Sequence, residues 1–118
     1  MTFDIKVKHV HDPADASDGQ RVLVDRLWPR GISKKDAKLA LWLKDIAPST
    51  ELRKWFGHEP ERWEEFRRRY VQELNAMKDP LRELRELSKH GDVTLLFGAH
   101  ERRYNNAVAL AQYWREKG

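Results

Sequence analysis

The chain has 118 residues, a formal net charge of +4, 40% apolar residues and no cysteine, which fits one domain with an ordinary core. The lack of cysteine excludes disulfides, thiolate zinc sites and cysteine nucleophiles. No apolar run approaches the roughly 20 residues that span a bilayer, and the first residues lack the pattern of a signal peptide. We therefore expect a soluble, cytoplasmic protein that does not enter a membrane.

The first part of the chain predicts two strands and then a less regular region. Residues 3–10 alternate apolar and polar side chains, which indicates a strand with one buried face. Residues 11–20 are rich in turn-forming residues, and the apolar run in residues 21–25 predicts a second, buried strand. Residues 33–38 predict a short helix with its first residue, a serine, as the cap. Residues 39–46 are ambiguous, and we favour an extended segment.

The rest of the chain predicts four helices around one further strand. Residues 49–55 predict a helix capped by a serine and ended by a glycine, and residues 60–77 predict a longer amphipathic helix. The apolar stripe of this longer helix consists of Trp63, Phe66, Tyr70, Leu74 and Met77. Residues 79–90 predict another helix, residues 93–97 a central strand and residues 103–116 the last helix.

This order of strands and helices predicts an α/β fold. We expect one small domain over residues 1–118, a three-layer sandwich with a mainly parallel sheet. The strands at 3–10, 21–25 and 93–97 should share that sheet, and the helix at 60–77 should pack by its apolar stripe. Nothing in the sequence predicts the oligomeric state.

The segment from Asp25 to Gly31 follows the second strand directly and carries Arg26, Trp28 and Arg30. In α/β proteins, ligands gather at the loops that follow strand ends. Guanidinium groups suit carboxylate or phosphate, and an indole can stack on a flat ring. This segment therefore predicts a binding site for an anion.

The segment from residue 98 to residue 106 joins the predicted central strand to the last helix. The amino terminus of that helix offers free N–H groups and positive potential, which favour an anion. His100 could serve as a general acid or base, and Asn106 should point toward the protein because it is four residues before Leu110. Simple helix capping by Asn105 is the alternative explanation. We predict that this loop and the 26–31 turn form one anion site.

Two charged residues interrupt the apolar stripe of the helix at 60–77. Arg67 falls inside the stripe by helical angle, and a buried charge needs a partner or a ligand. We expect Arg67 to be largely buried and paired, although its aliphatic stem could also extend outward. Glu73 lies at the other edge of the stripe, where it could orient an arginine or remain a solvated surface residue.

A third group of polar residues surrounds the helix at 49–55. Ser49, Arg53 and His58 are candidates for binding or, for His58, proton transfer. Ser49 is most simply a helix cap, because no Gly-x-Ser-x-Gly context marks it as a nucleophile. His9 and His11 lack a third ligand for a metal. The chain also has no phosphate-loop or dinucleotide-binding glycine motif, so we predict no metal and no cofactor.

Many of these segments together resemble the bacterial YeaO-like proteins, domain of unknown function 488. The residues that carry the resemblance are Asp25-Arg-Leu-Trp-Pro-Arg-Gly31, Trp42, Ala47-Pro-Ser49, Leu52-Arg-Lys-Trp-Phe-Gly-His58, Trp63, Phe66-Arg67, Tyr70, Glu73-Leu74 and Asn105-Asn-Ala107. The one departure is His100-Glu101-Arg102, where relatives more often carry another polar segment. The resemblance implies one cytoplasmic α/β domain and no assigned activity. It also includes the polar residues Arg26, Arg30, Ser49, Arg53, His58, Arg67, Glu73 and Asn106.

Three functions remain open, and whether the protein is an enzyme is open with them. The first is binding or acting on a small phosphorylated or nucleotide-like anion, held by Arg26, Arg30, Arg53 and Arg67. In that case His58 or His100 would move protons. The second is a nucleic-acid-binding module, indicated by the basic charge and by the run 67–69 of three arginines. The third is a structural or partner-binding protein with internal ion pairs. A concave pocket favours the first, a convex basic stripe the second, and fully paired arginines the third.

Overall fold

A computed structural model describes residues 5–117, and the order of its strands and helices agrees with the predicted order. The strands are β1 (Ile5–His9), β2 (Gln20–Leu23), β3 (Leu41–Trp42) and β4 (Val93–Phe97). The helices are α1 (Lys34–Ala37), α2 (Thr50–Phe56), α3 (Trp63–Asn75), α4 (Lys78–Ser88) and α5 (Asn106–Lys117). Within residues 5–117, no helix has both the length and the apolar character needed to cross a membrane.

Strand β4 lies inside a fully parallel sheet with the strand order β1-β4-β2-β3. In this register, Val93 pairs with Ile5 of β1 and with Gln20 of β2. All five residues of β4 are buried, which is typical of a parallel strand covered on both faces. The prediction that β1, β2 and β4 share one sheet is confirmed, and β3 adds a short edge strand.

Successive side chains of β4 enter two different cores. Leu95 belongs to the larger core, which α2, α3, α4 and α5 complete. Leu96 belongs to a smaller core with Leu23 of β2 and Ala37 of α1. Because neighbouring strand residues point to opposite faces, the four longer helices cover one face of the sheet. Helix α1 and the loops around it cover the other, and the predicted α/β sandwich is confirmed.

Helix α3 packs by the apolar stripe that its spacing predicts. The buried residues of the stripe are Trp63, Phe66, Tyr70 and Leu74. The ring of Phe66 stacks on Phe56 of α2, with 4.2 Å between the ring centroids. The hydroxyl of Tyr70 donates a hydrogen bond of 2.6 Å to the carbonyl of Ile46. These contacts fix α3 against α2 and against the segment that precedes α2.

Several element boundaries differ from the prediction. Pro60 begins a short 3₁₀ turn, and the α-helix follows it. Helix α3 ends before Met77, which instead precedes α4. Helix α5 begins at Asn106, later than predicted, because the side chain of Asn105 accepts the N–H of Val108 and caps the helix.

The segment 39–46 is extended only at Leu41–Trp42. The residues Lys44–Ile46 form a 3₁₀ turn instead of continuing the strand. This turn places Ile46 in the larger core, where its side chain is fully buried. Burial of this side chain, together with the bond from Tyr70 to the Ile46 carbonyl, accounts for the turn.

A buried ion pair lies on the face of the sheet that α1 covers. Arg21 donates to the carboxylate of Asp18 at 2.6 Å, and the two side chains are 5% and 3% exposed. Lys8 donates to the same carboxylate at 2.9 Å, and the hydroxyl of Thr94 donates to the Asp18 carbonyl. Burial opposes ionisation of Asp18, but hydrogen bonds from Lys8, the Asp15 backbone and Arg21 lower its pKa. Asp18 was predicted in a turn-rich segment and Arg21 in a strand, but the pair between them was not predicted.

Candidate functional site

Two loops meet at the carboxyl end of the sheet, the β2 loop (residues 24–33) and the β4 loop (residues 98–105). The N–H of Gly98 donates to Oδ2 of Asp25 at 2.8 Å. A Cβ atom on Gly98 would lie 2.9 Å from Cβ of Pro29, so this close approach requires a glycine. The two segments predicted to share a site therefore lie side by side.

These loops and the helices α2 and α3 surround a cavity of about 160 Å³, here named the edge cavity. Its polar walls are Asp25, Arg26, Arg53, His58 and Asn106. Its apolar walls are Leu27, Ala47, Pro48, Phe56, Phe66 and Ala99. Four of the predicted site residues line this space together, although they come from three separate segments of the chain. They are Arg26, Arg53, His58 and Asn106.

Two guanidinium groups reach the edge cavity without a carboxylate partner. Nη2 of Arg26 donates to the carbonyl of Ala47 at 3.3 Å, while its Nε is buried and has no hydrogen-bond partner. Arg53 is exposed at the cavity mouth. Among residues 5–117, the ion pairs with N–O distances up to 4.0 Å include neither arginine. The cavity therefore contains two guanidinium groups that no direct ion pair among these residues neutralises.

Asp25 contributes a carboxyl group to the same cavity. Burial raises its pKa, which outweighs the opposing effects of the Gly98 N–H, the Asn106 amide and the charge of His58. Asp25 begins the segment predicted to bind an anion, but it was not itself predicted as a site residue. Its position directly after a buried strand, next to Arg26, was the signal that could have found it.

His58 lies at the entrance of the edge cavity with a left-handed backbone conformation, φ 57°. Its Nδ1 lies 3.0 Å from the carbonyl oxygen of Tyr104, so Nδ1 carries the proton in that hydrogen bond. The ring also packs on Phe56, with 5.4 Å between centroids. This arrangement leaves Nε2 as the atom of His58 that can face a ligand. It can accept a hydrogen bond when the ring is neutral and can donate one to an anion when the ring is protonated.

Asn106, Ser49 and Glu73 hold elements of the fold together. The side-chain amide of Asn106 donates to the carbonyl of Val24 at 2.9 Å, and so points toward the protein as predicted. Ser49 caps α2 by accepting the N–H of Leu52. Its hydroxyl and backbone N–H both donate to the carboxylate of Glu73, at 2.6 and 2.8 Å. Glu73 thus orients Ser49 rather than an arginine, and neither residue lines the edge cavity.

Trp28 and Arg30 belong to the β2 loop but lie outside the edge cavity. The indole of Trp28 packs edge-on against Trp42 at 5.3 Å and donates to the carbonyl of Ile32. Arg30 is exposed, and its backbone carbonyl lies 2.9 Å from Nε2 of His11. Both residues follow the strand as predicted, but neither lines the cavity that Arg26 lines.

Arg67 differs most from its prediction. Its side chain is 29% exposed and pairs with two exposed carboxylates, Glu64 at 3.3 Å and Glu116 at 3.8 Å. The prediction of a partner is confirmed, but the prediction that Arg67 is largely buried is wrong, because the long side chain extends outward from the stripe. His100 is also exposed, in the β4 loop, and does not line the edge cavity.

The fold and this edge define a small α/β protein with a mixed basic and apolar cavity at the carboxyl ends of parallel strands. The chain belongs to the family described as "Inactive DUF488-N3 subclade", which matches residues 4–117. This match, together with the YeaO relative described next, confirms the resemblance to the YeaO-like proteins.

Two relatives show how far the similarity extends. The uncharacterised protein YeaO of Escherichia coli K12 is 46% identical over 113 residues, which are 96% of this chain and 98% of the relative. The uncharacterised protein Rv3073c of Mycobacterium tuberculosis H37Rv is 45% identical over 108 residues, or 92% and 91% of the two chains. No solved structure matches the chain.

Proposed function

We propose that the protein binds a small anionic ligand in the edge cavity, without chemical conversion of that ligand. The observation that carries this proposal is the pair of guanidinium groups, Arg26 and Arg53, on one concave space without carboxylate partners. Unneutralised guanidinium groups in a partly enclosed site favour carboxylate or phosphate ligands.

Other arginines support this choice by contrast. Arg68 and Arg69 both donate to Glu65, and Arg67 pairs with Glu64 and Glu116. The run of three arginines is therefore largely neutralised by carboxylates on the same surface. Nonspecific nucleic-acid binding depends on Lys and Arg that are free to neutralise phosphates, so the nucleic-acid alternative has weaker support.

The size of the edge cavity favours a small charged group. Pockets that enclose drug-sized ligands have volumes of about 300–1,000 Å³, and the edge cavity is smaller, at about 160 Å³. A phosphate or carboxylate group fits such a space, and any larger body would lie outside it. Leu27, a cavity residue that is 64% exposed, offers apolar surface there. A phosphorylated or nucleotide-like ligand, the class expected from the sequence, is compatible with this arrangement.

Binding without catalysis agrees with the description of the family as an inactive subclade. Of the two histidines predicted for proton transfer, only His58 lines the edge cavity. The hydrogen bond from its Nδ1 to the carbonyl of Tyr104 fixes the ring. Among the described hydrogen bonds, no carboxylate and no other histidine pairs with His58. We assign His58 to ligand contact.

Calorimetry tests the proposal with phosphate, sulfate, AMP and a short single-stranded DNA as probes. We expect phosphate or AMP to bind, and Arg53→Ala to weaken binding about tenfold or more, since a charged hydrogen bond contributes about 1.5–3 kcal/mol. Arg30→Ala is the matched control, because Arg30 is an exposed arginine outside the cavity, and it should leave binding unchanged. The proposal fails if no small anion binds at millimolar concentration, or if only the DNA binds and Arg53→Ala has no effect.

A further inference from the structure

The edge cavity contains one feature that opposes an anion, the carboxyl group of Asp25. An ionised carboxylate beside a bound anion is repulsive, and the repulsion is stronger where water is excluded. We propose that Asp25 takes up a proton when the anion binds, so that the protein binds the anion and a proton together. This inference rests on the proposed anion binding and concerns how that same site is regulated.

The geometry of Asp25 permits this change. Its Oδ2 atom accepts the N–H of Gly98 at 2.8 Å, and the amide of Asn106 also interacts with the carboxyl group. The side chain is partly buried against the cavity. Among residues 5–117, no cation forms an ion pair with it. When protonated, the other carboxyl oxygen can donate a hydrogen bond to an anion. One residue would then change from repelling the ligand to binding it.

The groups around Asp25 determine how strongly it resists ionisation. The charged and titratable groups that face it are Arg26 beside it, Arg53 of α2, His58 after α2, His9 of β1 and Tyr70 of α3. Burial outweighs the nearby hydrogen bonds and histidine charges, so the protonated form is already favoured relative to an exposed aspartate. An arriving anion adds negative charge beside Asp25 and shifts the balance further toward protonation.

Histidine is the competing explanation for any pH dependence. A histidine side chain in general becomes positively charged as the pH falls within the range from 8 to 5, and His58 lines the same cavity. Protonation of either residue would strengthen anion binding as the pH falls. The two explanations differ in which substitution removes the dependence, so both residues must be changed separately.

The experiment is sulfate titration by calorimetry between pH 5 and 8 at constant ionic strength, because sulfate keeps its charge over this range. For the native protein we expect the Kd to rise with pH, by at most about tenfold per pH unit for one proton. The measured heat should also depend on the ionisation enthalpy of the buffer. Asp25→Asn should bind sulfate more tightly than the native protein at pH 8, with a flatter pH profile.

His58→Asn is the matched control, since asparagine tolerates the left-handed backbone at this position. It should retain the part of the pH dependence that Asp25 provides. If Asp25→Asn keeps the native pH profile while His58→Asn flattens it, proton uptake by Asp25 is refuted and anion binding stands. If sulfate, phosphate and AMP all fail to bind the native protein, the proposed function fails and the coupling fails with it. Even if a variant does not fold, heats from the native protein that are independent of the buffer would refute proton uptake on binding, and with it the role of Asp25.

Discussion

Asp25 and Arg26 are consecutive residues of opposite charge that the fold keeps from pairing with each other. The Gly98 N–H holds the carboxyl group of Asp25, and the Ala47 carbonyl holds the guanidinium group of Arg26. An ion pair between them would have neutralised Arg26 and left Arg53 as the remaining charged guanidinium group among the cavity residues. Each side chain is instead fixed by a backbone group from another segment, so that the Arg26 guanidinium is not neutralised by its neighbour.

The raised pKa of Asp25 also has a consequence for the stability of the protein. Because its pKa is raised in the folded state, its contribution is most favourable below its unfolded-state pKa and is lost as the pH rises through the folded-state value. Asp25→Asn removes that loss and keeps an oxygen to accept the Gly98 N–H. We therefore expect the variant to gain stability relative to the native protein between pH 4 and pH 8. Urea denaturation at both pH values measures this, and an equal stability difference at the two would contradict it.

Single residues were the hardest features to predict from the sequence. Helical angle placed Arg67 inside the apolar stripe, but a side chain of this length can leave the stripe and reach Glu64 and Glu116. Trp28 lies in the predicted loop, yet its indole N–H satisfies the carbonyl of Ile32. In both cases the backbone position was predictable, but the direction of a long side chain depends on partners elsewhere.

Helix α2 is tied to α3 through its cap. Ser49 accepts the N–H of Leu52 and donates to Glu73, which belongs to α3. The bond from the serine backbone to the same carboxylate adds a second connection. Since α2 carries Arg53, this connection positions one side of the edge cavity.

A pair of serine caps tests this connection. Ser49→Ala removes the cap and one bond to a charged carboxylate, so we expect a loss of about 1.5–3 kcal/mol in unfolding free energy. Ser33→Ala is the matched control, because Ser33 caps α1 through the N–H of Asp36 alone, with an expected loss of about 0.5–1 kcal/mol. Chemical denaturation compares the two variants. A loss at Ser49 no larger than that at Ser33 would show that the bond to Glu73 contributes nothing.

Most of the helices and strands could be predicted from short-range patterns in the sequence. The caps at Ser33 and Ser49 and the stripe of α3 are short-range patterns that the sequence displays directly. The partner of Glu73 could not be predicted, because it lies 24 residues away and depends on how two helices meet. The prediction of an extended segment at 39–46 is confirmed at Leu41–Trp42 and wrong at Lys44–Ile46. The 3₁₀ turn could not be predicted, because the burial of Ile46 depends on the completed core.

At the scale of the molecule, the buried pair of Asp18 and Arg21 connects the strands on the face that α1 covers. We expect Asp18→Asn to cost about 3–5 kcal/mol at pH 7, because it leaves a buried guanidinium without its counter-charge. The folded-state pKa of Asp18 is lowered, so its contribution is fully present above the unfolded-state pKa. It decreases below that value and is lost as the pH falls through the folded-state pKa. The difference between native protein and variant should therefore shrink at pH 3.

An exposed pair provides the control for this prediction. Asp79 and Arg82 lie 3.4 Å apart with both side chains more than half exposed, and exposed pairs contribute about 0–1 kcal/mol. Asp79→Asn should therefore cost less than about 1 kcal/mol. Urea denaturation of both variants at pH 7 and pH 3 is the measurement. Equal losses for the two substitutions would show that burial gives the Asp18 pair no special weight.

The edge cavity is a property of the assembled chain. The expectation that ligands gather after strand ends correctly placed the β2 loop beside the β4 loop. It could not show that α2 and the turn after it bring Arg53 and His58 to the same place, while Arg30 and His100 lie outside. Helix packing decides which of the predicted polar residues line the cavity. The periodicity of apolar residues along the sequence carries no information about that packing.

The most direct test of anion binding observes Arg26 itself. Its Nε–H is buried without a hydrogen-bond partner, and arginine Nε–H groups give separate signals in ¹H–¹⁵N nuclear magnetic resonance spectra, which Arg26→Lys and Arg53→Lys variants would assign. On titration with phosphate, we expect the Arg26 and Arg53 signals to shift together along one saturable curve, while the exposed Arg30 stays unchanged. Shifts confined to exposed arginines such as Arg30, with the Arg26 signal unmoved at saturating phosphate, would contradict anion binding in the edge cavity.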